Sequence, residues 1–453
     1  MRALLVGRIL VLLYLLASFT HGQLNSAPAG RPDPSFGENG IVLTKLTFNR
    51  SIGQPTKQSD GKFLIPTSVS AEIISESGEL SRIGRVMPSG EHDPGFGNGG
   101  IALHRFGNFS RIYSVSVLAN GKILLAGQSS VSDFYDADHD LLVARLNADG
   151  TLDTSFGTAG FIIKDLRPQG SNLQSNDIAS ALLIEPDGKI LVGGVSMRFA
   201  EPGLATSYSV LLKLNSDGTV DTGFGNAGLR ELQITDRDDR IPFYRRGAIM
   251  VRQSSGKIVK SVLFTELSLT SQLVETRSKI VRFHGNGELD TSFGKSGYVD
   301  LSDGFDYGVW ANDLLLLPND GLLAVPVYGL FKLTPDGQPD PEFGQNGQVL
   351  NGFQAFSASA VIDAAGRIYL SNSETFTVPG QFSSQRAVIS RYLPNGARDL
   401  RFGRRGFFAI DFRESMTAGG WLSIIDDEQL LIISAKDLPS SSKIFVAKRL
   451  LTK

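Results

Sequence analysis

The stretch LDTSFGTAG at residues 152–160 decides the fold, because its pattern D-x-x-F-G-x-x-G occurs seven times in the chain. The Asp residues of the seven copies are Asp33, Asp93, Asp153, Asp221, Asp290, Asp340 and Asp399, and the Phe residues are Phe36, Phe96, Phe156, Phe224, Phe293, Phe343 and Phe402. In the first copy the two glycines are Gly37 and Gly40. Successive copies start 60, 60, 68, 69, 50 and 59 residues apart, a period that predicts one four-stranded unit per copy.

Two further landmarks share this period. A turn followed by an apolar strand recurs, as in ANGKILLAG at residues 119–127 and PDGKILVGG at residues 186–194. A strand that ends in a basic residue precedes six of the seven Asp residues, as in LLVARLNADGTLD at residues 141–153. The seventh such strand, IFVAKRLL at residues 444–451, stands alone, and Asp33 has no such strand before it. The two ends of the chain are therefore complementary parts of one unit.

This complementarity predicts an all-β fold, namely a seven-bladed β-propeller of four-stranded antiparallel blades. We expect the N-terminal strand to pair with three C-terminal strands, because this pairing removes the exposed edges of an open array. In the second blade, strands A to D are predicted at residues 112–119, 122–129, 141–147 and 161–166. In the closing blade, strand D is predicted at residues 41–46, and strands A, B and C between about residues 418 and 450.

The composition indicates a soluble globular protein, which we expect to be a monomer. The chain has 453 residues, a formal net charge of −2 and 41% hydrophobic residues, with no apolar run of membrane-spanning length after residue 25. Nucleic acids and anionic membranes select an excess of Lys and Arg, and this chain has none. The balance of charge therefore argues against both as obligate partners.

The first 22 residues have the layout of a secretory signal. Arg2 and Arg8 precede an apolar core that is followed by small and polar residues. We therefore expect a signal peptide at residues 1–22, a short linker at 23–32 and the propeller at 33–453, in a secreted, periplasmic or cell-surface protein. The sequence has no cysteine, so stability must come from packing and strand pairing without disulfides.

The motif resembles the delta-60 repeat of exported bacterial proteins, with copies such as LDTSFGTAG covering essentially the whole chain after the signal. The order of strand, D-G-K turn, two strands and terminal F-G-x-x-G is also similar to the blades of NHL-type propellers. This resemblance implies a propeller-like fold. It implies no particular activity for any residue.

Seven copies of one motif favour an architectural role for its residues. An Asp that opens a tight turn accepts N–H groups from residues two or three positions further on. The Phe can fill the space between neighbouring blades, where its burial contributes roughly 2 kcal/mol. The glycines suit positions with positive φ or close backbone approach. Although Gly95, Gly97 and Gly100 spell G-x-G-x-x-G, no helix follows to bind a pyrophosphate.

The most acidic loop is VSDFYDADHD at residues 131–140. Its metal-ligating candidates are Asp133, Asp136, Asp138, His139 and Asp140. Oxygen ligands at alternating positions suit calcium, and a histidine would favour a transition metal. No glycine follows where a calcium loop turns sharply, so a solvated acidic loop without a cofactor is the favoured interpretation.

The links from strand B to C and from D to A vary between blades, and both lie on one face of a propeller. Charged and aromatic candidates for ligand binding on this face are Tyr135, Arg237, Arg240, Tyr307 and Trp310. We expect a non-catalytic binding or scaffold protein that recognises a protein or carbohydrate. The alternative is a metal-dependent hydrolase or lyase that uses channel residues Asn176, Asp177, Asn312 and Asp313. The sequence assigns no catalytic residue.

Overall fold

Every regular element that the structure describes is a β-strand. This computed structural model describes residues 29–48, 52–70, 79–131, 138–201, 204–234, 249–267, 274–301, 311–326, 328–350, 359–376, 384–410, 420–425, 428–437 and 442–451. Within these ranges there is no helix long and apolar enough to cross a membrane. The all-β prediction is therefore confirmed.

In the described part of the chain, twenty-nine strands form six hydrogen-bonded sheets. In chain order the strands are β1 (Arg31–Pro32), β2 (Ile41–Phe48), β3 (Thr56–Lys57), β4 (Phe63–Ser70), β5 (Glu79–Val86), β6 (Ile101–His104), β7 (Phe109–Val117), β8 (Ile123–Ser130), β9 (Asp140–Leu146), β10 (Phe161–Lys164), β11 (Gln174–Ile184), β12 (Ile190–Glu201), β13 (Leu204–Leu214), β14 (Leu229–Gln233), β15 (Met250–Arg252), β16 (Ile258–Leu267), β17 (Val274–Phe283), β18 (Tyr298–Asp300), β19 (Ala311–Leu316), β20 (Leu322–Pro326), β21 (Gly329–Leu333), β22 (Gln348–Leu350), β23 (Ser359–Ile362), β24 (Ile368–Phe376), β25 (Ser384–Tyr392), β26 (Phe407–Ile410), β27 (Trp421–Ile425), β28 (Gln429–Asp437) and β29 (Ser442–Leu450).

Consecutive strands pair as antiparallel meanders. Four sheets have four strands each, β11–β14, β15–β18, β19–β22 and β23–β26. The eight-stranded sheet contains two such meanders, β3–β6 and β7–β10, joined by a parallel bridge between Glu79 and Phe109. Strands β7 to β10 correspond to the four strands predicted for the second repeat, with ends that differ by up to three residues.

The sixth sheet contains both ends of the described chain. Strand β29 pairs with β28 on one side and with β1 and β2 on the other. In the register of β2 against β29, Val42 lies opposite Val446 and Thr47 lies opposite Lys443. Residues separated by about 400 positions in the sequence are thus neighbours in one ladder.

The apolar core lies between neighbouring sheets. In one cluster, Leu124 and Val143 of the β7–β10 meander pack with Ala179, Val192 and Val210 of the next sheet. Each of these five side chains is buried. Because both faces of these strands are covered, their sequences are nearly continuous apolar runs, such as KILLAG and LLVARL.

The motif Asp has the same two kinds of partner in all seven copies. Its Oδ1 accepts the N–H of the residue two positions further on, for example Ser292 to Asp290 at 3.1 Å. A Lys or Arg side chain also contacts the carboxylate. In the copy at Asp290 this is Arg282, whose Nε lies 2.7 Å from Oδ2. Six of the Asp residues thus fix both their own turn and the third strand of the repeat, whereas Asp221 pairs with Lys189, which precedes the second strand.

The basic residue that ends the third strand of each repeat lies over the motif Phe ring. The Arg282 guanidinium carbon, for example, is 4.7 Å from the centre of the Phe293 ring. The seven pairs are Lys448 and Phe36, Arg85 and Phe96, Arg145 and Phe156, Lys213 and Phe224, Arg282 and Phe293, Lys332 and Phe343, and Arg391 and Phe402. A cation over an aromatic face is attracted to it, most strongly where water is excluded.

The motif also contacts the next repeat. Gly294 N–H donates to Asp336 O at 2.8 Å, and Arg282 Nη1 donates to Pro335 O at 2.7 Å. The Phe ring lies directly against a turn glycine, where it leaves no room for a side chain. The contacting pairs are Phe36 and Gly90, Phe96 and Gly150, Phe156 and Gly218, Phe224 and Gly287, Phe293 and Gly337, Phe343 and Gly396, and Phe402 and Gly30. We call this set of bonds, with the ring over the glycine, the inter-repeat contact.

The residue before the closing glycine of the motif has a positive φ that the sequence did not predict. Its φ lies between 49° and 59° in every copy, although only Gly99 among the seven is a glycine. The others are Asn39, Ala159, Ala227, Ser296, Asn346 and Arg405. Because six copies hold a side chain there, the surroundings of this position tolerate one.

Gly97 and Gly99 allow a direct test of this local geometry. Both have positive φ, but a Cβ on Gly97 would lie 2.2 Å from the Ile101 carbonyl oxygen, whereas a Cβ on Gly99 meets nothing within 4 Å. We expect Gly97→Ala to lower the free energy of unfolding by roughly 3 kcal/mol or more, because strain and a backbone clash combine. Gly99→Ala should lower it by about 1 kcal/mol. Urea unfolding followed by circular dichroism measures both, and equal losses would contradict this explanation.

Candidate functional site

The antiparallel meanders place successive links at opposite edges of each sheet. The links between the first and second strands and between the third and fourth strands, which include the motif, lie at one edge. The links between the second and third strands and from one repeat to the next lie at the other edge. We call these the motif edge and the variable edge.

Most of the predicted ligand-binding residues belong to links at the variable edge that lie outside the described residues. These are Asp133, Tyr135, Asp136, Arg237, Arg240, Tyr307 and Trp310. The end of the acidic loop, at Asp138, His139 and Asp140, is described. The site can therefore be built from these three residues and from the strands around them.

Three carboxylates meet at the variable edge where two sheets adjoin. They belong to Asp140, Asp165 and Asp177, and one ligand atom from each lies within 4.8 Å of the other two. We call these three residues the acidic triad. Asp140 begins β9, Asp165 follows the end of β10, and Asp177 lies near the start of β11. The triad is therefore shared between the second repeat and the third.

Backbone hydrogen bonds hold the two repeats together at this point. His139 N–H donates to Ser175 O at 3.1 Å, and Asp177 N–H donates to His139 O at 2.7 Å. These bonds form an isolated parallel bridge between His139 and Asn176. The bridge fixes the start of β9 against β11, so the triad rests on paired strands as well as on a loop.

Asp177 is fully buried, and only one of its carboxylate oxygens has hydrogen-bond partners. Its Oδ2 accepts the Leu166 N–H at 2.7 Å and the Ser175 hydroxyl at 3.3 Å, while its Oδ1 has no hydrogen bond. Ser196 lies opposite Asp177 in the β11–β12 ladder, and its hydroxyl, as a hydrogen-bond donor close to the carboxylate, lowers the pKa of Asp177 against the effect of burial. The buried Ser196 Oγ nevertheless has no hydrogen bond of ordinary geometry. Burial raises the pKa of Asp177 to about 6.

The burial of the Asp140 carboxylate is also poorly compensated by hydrogen bonds. Its Oδ1 is buried and has no hydrogen-bond partner. Burial is the first cause that raises the pKa of its carboxyl group, and the neighbouring Asp165 carboxylate adds to the rise. Two of the three triad carboxyls therefore favour either a proton or a nearby cation.

Arg167 supplies one positive charge to this region. Its Nε lies 2.9 Å from Asp165 Oδ2, and its Nη1 lies 2.8 Å from Asp138 Oδ2. Partial burial opposes ionisation of Asp165, but the hydrogen bonds from Arg167 outweigh it and lower the pKa of that carboxyl group. The Arg167 guanidinium thus pairs with Asp165 and Asp138 and acts on Asp140 only through its charge.

Two of the residues predicted as metal ligands have other contacts. Asp138 Oδ1 accepts the Ser175 N–H at 2.9 Å, so this carboxylate holds Arg167 and the adjoining strand together. The His139 ring is buried and lies edge-on to Phe109, with the ring centres 4.9 Å apart. The structure places Asp140 in the triad, and it does not place Asp138 or His139 there.

Sequence reasoning missed Asp165, which no motif singles out. The predicted strand order could have indicated it. The variable edge contains the start of the third strand, the end of the fourth strand and the start of the next repeat, and these are the positions of Asp140, Asp165 and Asp177. Asp177 was predicted as a channel residue, without a link to the acidic loop. Combining the two predictions through the strand order would have brought Asp140, Asp165 and Asp177 together.

The second pair of predicted channel residues has a different environment. Asp313 Oδ2 accepts hydrogen bonds from Ser359 Oγ and Ala360 N–H, both at 3.2 Å, and its Oδ1 accepts the Leu314 N–H at 2.9 Å. Asp313 thereby joins β19 to β23. In the described part of the chain, it belongs to no cluster of three metal-ligating side chains.

We predict that Asp177→Asn stabilises the protein at neutral and basic pH when chelator is present. The folded-state pKa of about 6 exceeds the ordinary value of 3.8, so the wild type should lose stability as pH rises from about 4 through 6. The amide keeps an acceptor for Leu166 and removes the buried charge. At pH 8 the free energy of unfolding should rise by up to about 3 kcal/mol.

Asp187→Asn is the matched control, because Asp187 is exposed in a turn at the motif edge and accepts the Lys189 N–H, a bond that an amide preserves. Its unfolding curves at pH 4 and pH 8 should match those of the wild type. Urea unfolding at both pH values measures the free energy of unfolding of the wild type and of each variant. A loss of stability in Asp177→Asn at pH 8 would contradict the assignment of an uncompensated buried carboxylate.

The solved structures to which this chain is similar share little sequence with it. A protein of unknown function from Dyadobacter fermentans DSM 18053 is 11% identical, over 91% of this chain and 100% of that chain, with a TM-score of 0.41. The polysaccharide lyase Uly1 is 9% identical over 96% and 94%, with a TM-score of 0.45. An alpha-L-arabinanase from Penicillium chrysogenum is 13% identical over 94% and 97%, with a TM-score of 0.40. None of these likenesses is close enough to transfer an activity.

A family model matches three parts of the sequence. It is described as "Domain of unknown function (DUF5122) beta-propeller" and matches residues 118–156, 185–224 and 269–293. Each match ends at the Phe of a D-x-x-F-G-x-x-G copy, namely Phe156, Phe224 or Phe293. No protein with a curated description matches the chain. The family match and the all-β fold together support a β-propeller family.

Proposed function

We propose that the chain forms a closed ring of seven four-stranded blades. The contact of a motif Phe ring with a turn glycine of a neighbouring repeat recurs seven times, and the Phe402 ring lies against Gly30, near the other end of the described chain. Gly403 N–H likewise donates to Ala29 O at 2.8 Å. The pairing of β2 with β29 supports the same closure. In this ring the eight-stranded sheet provides two blades, and the sheet with both chain ends provides the last.

On this scaffold we propose a non-catalytic binding role for the variable edge, in a protein exported from the cytoplasm. The observation that carries the proposal is the difference between the two edges. At the motif edge, each motif Asp has both a backbone donor and a cationic partner. At the variable edge, Asp140 and Asp177 retain buried oxygens without partners. Repeated residues thus build the scaffold, and residues that differ between repeats supply the recognition chemistry.

The partner class follows from the residues that the sequence assigns to this edge. Tyr135, Tyr307 and Trp310 are aromatic, and Arg237 and Arg240 are cationic donors. Aromatic and Arg side chains are enriched where proteins bind partners, because they combine large contact areas with hydrogen bonds. We therefore propose an extracytoplasmic protein or carbohydrate as the ligand of a monomeric propeller.

Asp313, predicted to line a channel, has a structural use that the sequence did not predict. Its hydrogen bonds to Ser359 and Ala360 hold β19 against β23, and a third bond joins it to Leu314 of its own strand. A carboxylate with these bonds connects the sheet that contains β19 to the sheet that contains β23. Of the two channel carboxylates named for the hydrolase or lyase alternative, Asp177 therefore belongs to an acidic cluster, whereas Asp313 has a structural use.

Glycan and peptide arrays probed with residues 23–453 test this proposal. For a ligand that the arrays identify, Trp310→Ala and Arg240→Ala should each weaken binding by about tenfold or more, as expected for central aromatic and Arg residues. The control is Leu400→Ala, which truncates an exposed side chain at the motif edge. Binding that is insensitive to both variable-edge variants but lost in Leu400→Ala would refute the assignment of this edge.

A further inference from the structure

We propose that the acidic triad, together with Ser196, binds a calcium ion between the second repeat and the third. The three carboxylates come from three separate strands or strand ends, and one oxygen from each lies within 4.8 Å of the others. Two oxygens on opposite sides of a calcium ion are separated by about the same distance, since calcium–oxygen bonds are about 2.4 Å long. The triad has the spacing of a cation site.

Buried oxygens without hydrogen bonds point to a ligand in addition to the acidic cluster itself. Asp177 has no exposed surface, and its Oδ1 has no hydrogen bond. The fully buried Ser196 Oγ, across the ladder from Asp177, has no hydrogen bond of ordinary geometry, although its hydroxyl lies close to the Asp177 carboxylate. An unpaired buried oxygen is destabilising unless a partner compensates for its desolvation. A cation beside Asp177 compensates for both oxygens at once.

The chemistry of the donors selects the metal. All four side chains offer oxygen, and hard oxygen ligands suit calcium, magnesium or manganese more than zinc or copper. Magnesium requires near-ideal octahedral geometry with shorter bonds of about 2.1 Å, whereas calcium accepts irregular sets of six to eight oxygens. The triad draws its oxygens from different strands and leaves positions for water. This arrangement favours calcium.

The surrounding charge sets the expected affinity. Asp138 adds a fourth carboxylate to the region, whereas the Arg167 guanidinium, bound to Asp165, opposes a cation. Three carboxylates, one hydroxyl and water around the ion, with a guanidinium nearby, should give a dissociation constant of about 10⁻⁴ to 10⁻³ M, the range of extracellular calcium modules. Such a site would be filled outside cells, where calcium is abundant.

A bound ion would connect two neighbouring repeats. Asp140 and Asp165 belong to the β7–β10 meander, whereas Asp177 and Ser196 belong to β11 and β12. The ion would act at the variable edge, opposite the inter-repeat contact of the motif edge. This inference does not depend on the partner-binding proposal, since calcium binding is measured without a partner.

Equilibrium dialysis of residues 23–453 against calcium chloride tests the site. The wild type should bind one calcium ion per chain, and Asp177→Asn and Asp140→Asn should each weaken binding by about tenfold or more, because each removes a charged ligand. Asp187→Asn, at the opposite edge, should bind as the wild type does. Thermal unfolding provides a second readout, since calcium should raise the melting temperature of the wild type and of Asp187→Asn but not of Asp177→Asn.

Three outcomes would overturn the proposal. The first is that the wild type binds no calcium at about 10 mM, which is tenfold above the weakest expected dissociation constant. The second is that calcium binding is unchanged in both Asp177→Asn and Asp140→Asn. The third is that the wild type binds magnesium as tightly as calcium. Circular dichroism establishes that each variant is folded. If Asp177→Asn is not, Asp165→Asn replaces it, because Asp165 is exposed. Failure of calcium to bind would leave the ligand-array experiment unaffected.

Discussion

The contact between each motif Phe and the next repeat is the interaction on which the rest of the structure depends. The Phe ring lies between a cation from its own repeat and a glycine of the following one. In five copies the adjoining Gly N–H also bonds to that neighbour, namely at Gly97, Gly157, Gly294, Gly344 and Gly403. A single four-stranded meander cannot bury both of its faces. Packing against its neighbours provides that burial, so the repeats are stable as an array and the motif must recur in every one of them.

This constraint leaves different freedom at the two edges of the sheets. At the motif edge, the turn, the ion pair and the ring over the glycine fix residue type and backbone conformation together. At the variable edge, no repeated contact constrains the links between strands, so these links can differ in length and composition. The acidic triad arises at that edge, where two of its members, Asp140 and Asp177, lie on paired strands and Asp165 follows the end of β10. Specific chemistry can therefore develop there without weakening the array.

Sequence reasoning anticipated the architecture better than the site, for physical reasons. Repetition revealed the strand order and the complementary chain ends, because every repeat must bury its faces in the same way. It did not reveal that Arg145 or Arg282 lies over a Phe ring, since the pairing crosses a turn. The positive φ of Ala159 and Arg405 gave no signal, because neither residue is a glycine. Asp165 was missed because its neighbours in the triad are distant in sequence and become close only through sheet topology.

The central claim is that β2 and β29 close one ring, and cross-linking across their ladder tests it most directly. Thr47 and Lys443 lie opposite each other, and the chain has no cysteine of its own. Oxidation of a Thr47→Cys, Lys443→Cys variant should therefore yield a cross-linked monomer, visible as a mobility shift on a non-reducing gel, because paired strand positions are within disulfide reach. Either single variant should give no such species. A double variant that forms only disulfide-linked dimers, or none, would contradict ring closure.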